Sequence, residues 1–297
     1  MSKNKFGLSR YIPDKVKKQI RLQSKFGCVI CRNAICHYEH IDPEFHEARE
    51  HHPNKMCLLC GRCHDKVTRG RISIETVKRN YEDVQNNSNI KAPFDEFDLA
   101  THNPIVVLGA GTFENCANII QFGNEILLKI DKAEMGSHFP RISGMFYDKE
   151  GNKLLTIKKN IWESTTEGWD LIIEGNQLKI LSSENEIVLK IRLDPPNKIS
   201  IIKVNMYING NHLICDEKDI IVGKHKNGSY NYLGFGSFSC KGADIGVYIS
   251  DSNKELEYTG IKVAGGKGVI LEGTGIMLGK KAKIMHLRDL RIWVKNS

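Results

Sequence analysis

Six of the nine cysteines fall between Cys28 and Cys63. Four of them form two Cys-x-x-Cys knuckles, Cys28/Cys31 and Cys60/Cys63. The knuckles bracket a Glu39-His40 pair, and the second runs directly into His64. Two chemistries are overlaid here. Four thiolates at this spacing suit a tetrahedral zinc ion. A separate set, Glu39, His40, Asn54 and His64, has the residue types that serve a catalytic cation and a proton acceptor. Cys57-x-x-Cys60 is also a knuckle, but Cys63 is preferred because it precedes His64 at the turn into a helix. Cys36 has no assigned role. His64, adjoining Cys63, is read either as a zinc ligand or as a ligand of the catalytic ion.

Elements must hold these residues together. Ile12-Pro13-Asp14 reads as a helix start, because proline suits the first turn and Asp14 complements the helix dipole. Val16 and Ile20 give this helix an apolar face, while Lys15, Lys17, Lys18, Arg21 and Lys25 cover much of the rest. The helix should end near Gly27. Residues 36–41 and 56–59 read as short strands around a charged loop, 42–55. A helix should follow from His64, and Ser73 reads as the N-cap of another over 74–85. Residues 1–11 are polar and read as loose, and QNNSNIKAP (85–93) reads as a linker. His37, His46, His51 and His52 lie in or beside the loop and read as solvated.

Charge is uneven. Residues 1–90 hold 17 Lys/Arg against 10 Asp/Glu, whereas residues 91–297 hold 26 against 25. Nearly all of the net +8 therefore sits on the Cys/His third, which favours a polyanion such as DNA as its partner. Lys17 and Arg21 on the first helix, and Arg62, Lys66 and Arg69 around the second, are the candidate phosphate contacts. No apolar run approaches the length of a membrane span, and MSKNKFGLSRYIPDK has no apolar signal region. A soluble, cytoplasmic protein with no membrane partner is expected. In that compartment clustered cysteines mean metal and not disulfides, and Cys116, Cys215 and Cys240 read as buried thiols.

The order EHI (39–41), Asn54, then CLLCGRCHDK (57–66) resembles the HNH nuclease family. Within it, the match is to members whose ββα-metal motif is braced by a four-cysteine zinc. The lead-in IPDKVKKQIRLQSKFGCVIC also resembles the opening helix of bacterial HNH proteins. The resemblance covers roughly residues 10–85. It implies His40 as general base for the attacking water. It implies Glu39 and His64 as ligands of Mg2+ or another divalent cation, and Asn54 as the residue that orients His40. The implied outcome is hydrolysis of DNA phosphodiester bonds, in a bacterial or phage-related setting such as defence or restriction. Asn54 departs from the pattern by one residue, since the family's spacing from Cys60 falls on Lys55.

Beyond residue 94 short apolar runs such as EILLKI, DLIIEG and EIVLKI alternate with turn signals such as DKEGN and DPPNK. This is all-β hairpin texture. Trp162, Trp169 and Trp293 read as core. GAGTFENC (109–116) is not followed by the helix a phosphate loop needs. The expected fold class is α+β: a zinc-braced ββα-metal domain over 1–90, then a mainly antiparallel, sandwich- or barrel-like β domain over 94–297. The β domain would sense a trigger, select substrate or assemble a homo-oligomer. The rival readings are a zinc-stabilised DNA-binding module that does not cut, and a β-domain adaptor with a zinc scaffold.

Overall fold

The computed structural model describes residues 3–87, 90–93, 99, 101, 103–131, 140–164, 169–226, 229–235, 238–242 and 244–249, and strand segments 262–264, 267–272, 275–279, 283–287 and 290–296. The chain divides into two units, Met1–Asp95 with Ile161–Thr165, and Glu96–Asn160 with Thr166–Ser297. Helices are few and β structure dominates, so the architecture is α+β and β-rich.

The first unit is built around two short strands. β1 (His37–His40) pairs antiparallel with β2 (Met56–Leu59), with Glu39 opposite Cys57 and His40 opposite Met56. All four residues of β2 are buried because both of its faces are covered. Met56 and Leu58 pack with Ile12 and Ile20, the latter from helix α1 (Asp14–Gln23). Cys57 and Leu59 pack with Val77 and Tyr81 of helix α3 (Ile74–Asn86). A strand covered on both sides reads as a continuous apolar run, which is what MCLL is. Burial of each such side chain contributes about 1.5–3 kcal/mol. β1 has only one partner strand among the described residues.

Helix ends follow local chemistry. α1 begins after Pro13, as expected, but stops at Gln23, before Gly27. Lys25 and Phe26 take φ of 50° and 56°, which breaks the helix. Gly27 serves another purpose: a Cβ there would lie 2.8 Å from the Arg32 carbonyl oxygen, so only glycine lets the first knuckle close. Helix α2 (Gly61–Thr68) begins three residues earlier than the sequence suggests, with Cys60 as N-cap; its Sγ accepts from the Cys63 amide. Gly70, at φ +68°, ends α2, with the amides of Gly70 and Arg71 bonded back to the carbonyls of Val67 and Lys66. Ser73 caps α3 by accepting from the Thr76 amide at 3.2 Å.

Two expectations need correction. The described part of the first eleven residues is not loose: Asn4 Nδ2 donates to the carbonyls of Phe45 (2.6 Å) and Ala48 (2.7 Å), and Lys5 pairs with Glu47. The segment 85–93 is not wholly a linker. α3 runs to Asn86, and Ile90–Pro93 forms a strand antiparallel to Ile161–Ser164. Its partner comes from far along the chain, so no local signal could announce the pairing.

In the second unit, consecutive antiparallel strands dominate. Asn118–Phe122, Glu125–Asp131, Arg141–Tyr147 and Lys153–Lys158 form one run of neighbours. Asp170–Glu174, Gln177–Leu181, Ile187–Asp194, Lys198–Ile208, Asn211–Cys215, Ile220–Lys226 and Ser229–Phe235 form another. The sheets are mixed, however. Ile105–Leu108 pairs in parallel with Lys198–Ile208, Gly111–Glu114 with Phe238–Lys241, and Asn118–Phe122 with Ile245–Ile249. Parallel pairs need long crossovers, which turn signals do not reveal. GAGTFENC forms the turn and strand of a β-hairpin, with Gly109 at φ +58°. Trp162 and Trp169 are fully buried; the Trp293 side chain lies outside the described residues.

Candidate functional site

Cys28, Cys31, Cys60 and Cys63 present four Sγ atoms within 4.8 Å of one another. Cys31 and Cys60 are 3.5 Å apart. Sulfurs around one zinc ion, bound at about 2.3 Å, stand roughly 3.8 Å apart, so the cluster fits a metal ion such as zinc. Cys57, the alternative ligand, is buried but is not among the four cysteines whose sulfurs meet.

Electrostatics agree with a cation. A hydrogen bond from Cys36 is the chief reason that the Cys28 thiol is drawn down to about 4. Burial pushes the Cys31 thiol up. Burial and the Cys28 charge push Cys63 up as well. One thiolate in this cluster therefore resists a second, and a shared divalent ion would relieve the conflict. Cys36, left without a role by the sequence, sits beside Cys28, with its Sγ 3.0 Å from the Asn33 carbonyl oxygen.

Arg32 carries no motif signal in the sequence. Its guanidinium donates to the carbonyls of Lys25 (2.7 Å), Ser24 (3.0 Å), Gly27 (3.3 Å) and Cys28 (3.4 Å). It thus satisfies the acceptors exposed where α1 unwinds into the first knuckle, and sets a fixed positive charge near the thiols.

The second cluster forms where β1 meets α2. Side chains alternate along a strand, so His37 and Glu39 share one face of β1, while Tyr38 and His40 share the opposite one. Tyr38 accordingly packs with Met56 and Leu58. Glu39 meets α2: its Oε2 lies 2.9 Å from His64 Nε2. Both side chains are partly exposed, Glu39 at 30% and His64 at 42%. Burial raises the Glu39 carboxyl, and His64 opposes that rise. The His37 ring stands edge-on to His64, 6.4 Å between centroids.

His40 is 6% exposed and has a different partner. Its Nε2 lies 3.0 Å from His51 Nδ1, and His51 Nε2 lies 2.8 Å from the Ser9 carbonyl oxygen. Burial, and secondarily His51, lower the His40 imidazole to about 4, so it is neutral at pH 7. Asn54, expected to orient His40, does not approach it in this way. It lies in a short 3-10 turn, Pro53–Lys55, and its Oδ1 accepts from Gln23 Nε2 at 2.6 Å. Tyr81 holds the same Gln23 through its carbonyl, at 3.0 Å. The side-chain contact to His40 comes from His51, a residue whose place in the charged loop suggests solvation.

The expected phosphate contacts divide. Arg21 is buried and donates to the Tyr38 hydroxyl, so it is part of the core and not an open cation. Lys17 lies 3.4 Å from Asp14, and Arg69 is 2.7 Å from Asp65. Arg62 is exposed and Lys66 half-buried on α2.

Comparison of the chain with protein-family models, curated proteins and solved structures gave no match. Among the described residues no helix is long and apolar enough to cross a membrane.

Proposed function

We propose that the first unit is a metal-dependent DNA endonuclease of the HNH type, braced by zinc on Cys28, Cys31, Cys60 and Cys63. The observation that carries this reading is the hydrogen-bonded Glu39–His64 pair, one residue from a neutral His40 and beside the four-sulfur cluster. The donor set fits a divalent cation such as Mg2+: one carboxylate and one imidazole, both reachable from solvent. When bound, such an ion supplies charge stabilisation at a phosphate oxygen and the leaving 3′ oxygen.

The protein's own residues do the rest. Glu39 and His64 would hold such an ion, through a carboxylate oxygen and an unprotonated imidazole nitrogen. His40 takes the proton of the attacking water, a role that needs a neutral imidazole. Glu39 and His40 point to opposite faces of β1, so a phosphodiester meets both only along the edge of that strand that has no partner among the described residues. Arg62 and Lys66 supply phosphate contacts, with Lys17 and Arg69 available after exchange of their carboxylates. The second unit would select substrate, sense a trigger or join copies of the chain.

A second reading, DNA binding without cleavage, is favoured by one observation: Asn54 is engaged by Gln23. Supercoiled plasmid incubated with Mg2+, Mn2+ or Ni2+, against EDTA, separates the two. Metal-dependent nicking supports the enzyme. Salt-sensitive retention of intact plasmid in every metal supports the binder.

A further inference from the structure

We propose that His51 is a positioning residue, which together with the Ser9 carbonyl holds His40 in the tautomer whose Nδ1 is free to accept a proton. This deepens the nuclease reading and rests on it only for the use made of that proton.

A backbone carbonyl can only accept, so the 2.8 Å contact with Ser9 requires His51 Nε2 to carry hydrogen. A neutral His51 then has a bare lone pair on Nδ1. That lone pair faces His40 Nε2 at 3.0 Å, so His40 must donate there. The one nitrogen of His40 left without hydrogen is Nδ1. It has no hydrogen-bond partner among the described residues, and it is not among the buried polar atoms left unpaired, so it keeps contact with solvent.

The opposite tautomer is penalised. Moving the His40 proton to Nδ1 sets two lone pairs against each other at 3.0 Å. Flipping the His51 proton as well merely transfers the clash to Ser9. Either state leaves an unsatisfied contact.

The chain that builds this relay is ordered for it. Phe45 stacks on His51, with ring planes 13° apart, and contacts His40 at 5.7 Å between centroids. Arg10 covers Phe45 at 4.5 Å, and Asn4 holds the Phe45 carbonyl at 2.6 Å. The amino-terminal segment therefore fixes both the acceptor and the plane of the ring that reads it. An amide side chain at position 51 would keep an acceptor near the place of Nδ1.

The test is the tautomer itself, read from ring nitrogen-15 shifts of the full-length, zinc-loaded protein at pH 7.5, without DNA. The expected His40 pattern is an unprotonated Nδ1 and a protonated Nε2. His51→Ala should replace it with an averaged pattern, and His51→Asn should restore it. Where DNA is cut, His51→Ala should lower kcat about 100-fold with KM within about twofold, and His51→Asn should recover most of the loss. The tautomer pattern, its loss and its recovery support the proposal even in a protein that cuts nothing, in which case only the nuclease reading fails. A His40 proton on Nδ1, a doubly protonated His51 donating to both neighbours, or a His40 pattern indifferent to His51→Ala overturns it, even in a protein that cuts DNA well.

Discussion

Glu39 Oε2 and His64 Nε2 stand 2.9 Å apart across the junction of β1 and α2. The junction is set by the second knuckle. Cys60 caps α2, and the His64 amide bonds back to the Cys60 carbonyl at 2.8 Å. His64 is thus oriented by the same turn that aims Cys63 at the sulfur cluster. Glu39→Gln and His64→Ala should each weaken Mn2+ binding measured by calorimetry, by at least about tenfold, and lower metal-dependent cleavage roughly 100-fold. Zinc content should stay unchanged in both variants. A fall in zinc would instead make His64 a member of the sulfur site.

Zinc should be inseparable from the fold of the first unit. Its cysteines form part of its core, with Cys28, Cys60 and Cys63 buried beside Val29 and Val77. Structural zinc contributes on the order of 10 kcal/mol to folding of small domains. Native mass spectrometry should find one zinc per chain, and Cys28→Ser or a strong chelator should abolish the helical circular dichroism of α1–α3 while the β signal persists. Cys57→Ser should leave the zinc count intact.

Asn54→Ala should be mild. The bond it loses is to Gln23 at an exposed site, worth about 0.5–1 kcal/mol. Cleavage should stay within about twofold of the unsubstituted protein. A loss near that of His40→Ala would show that Asn54 reaches the base during the reaction.

Stability should depend on pH through His40. Its folded value, about 4, lies below that of an unfolded histidine, about 6.5. Between these values the unfolded chain binds the extra proton, so the contribution is complete above about pH 6.5 and is lost as pH falls towards 4. It amounts to about 3 kcal/mol at most. Urea midpoints at pH 7.5 and pH 5 should differ less for His40→Gln than for the unsubstituted protein. Equal differences would mean that His40 titrates freely.

The short-range grammar of the first unit was legible. Strand 56–59 and the Ser73 cap stand where an apolar run and a capping residue put them, and the four cysteines chosen by spacing are the four whose sulfurs meet. Spacing succeeds there because a knuckle is a local turn. It fails for His51, whose importance comes from Ser9 and His40 converging on it across the fold. Arg32 is likewise invisible in sequence, since it is the unwinding of α1 at Lys25 and Phe26 that leaves carbonyls for it. In the second unit alternation announced strands, but not that Gly111–Glu114 would lie parallel to Phe238–Lys241.

As the proton acceptor of a metal-dependent phosphodiester hydrolysis, His40 should set the rate of single-turnover cleavage. The decisive comparison uses an end-labelled DNA duplex, protein in excess and Mn2+, with the unsubstituted protein and His40→Ala carrying the same measured zinc. Cleavage should stop with EDTA and slow by about 100-fold or more in His40→Ala, with DNA binding retained. Equal rates in the two proteins, or no cleavage by either in any divalent metal, would rule out His40 as that acceptor.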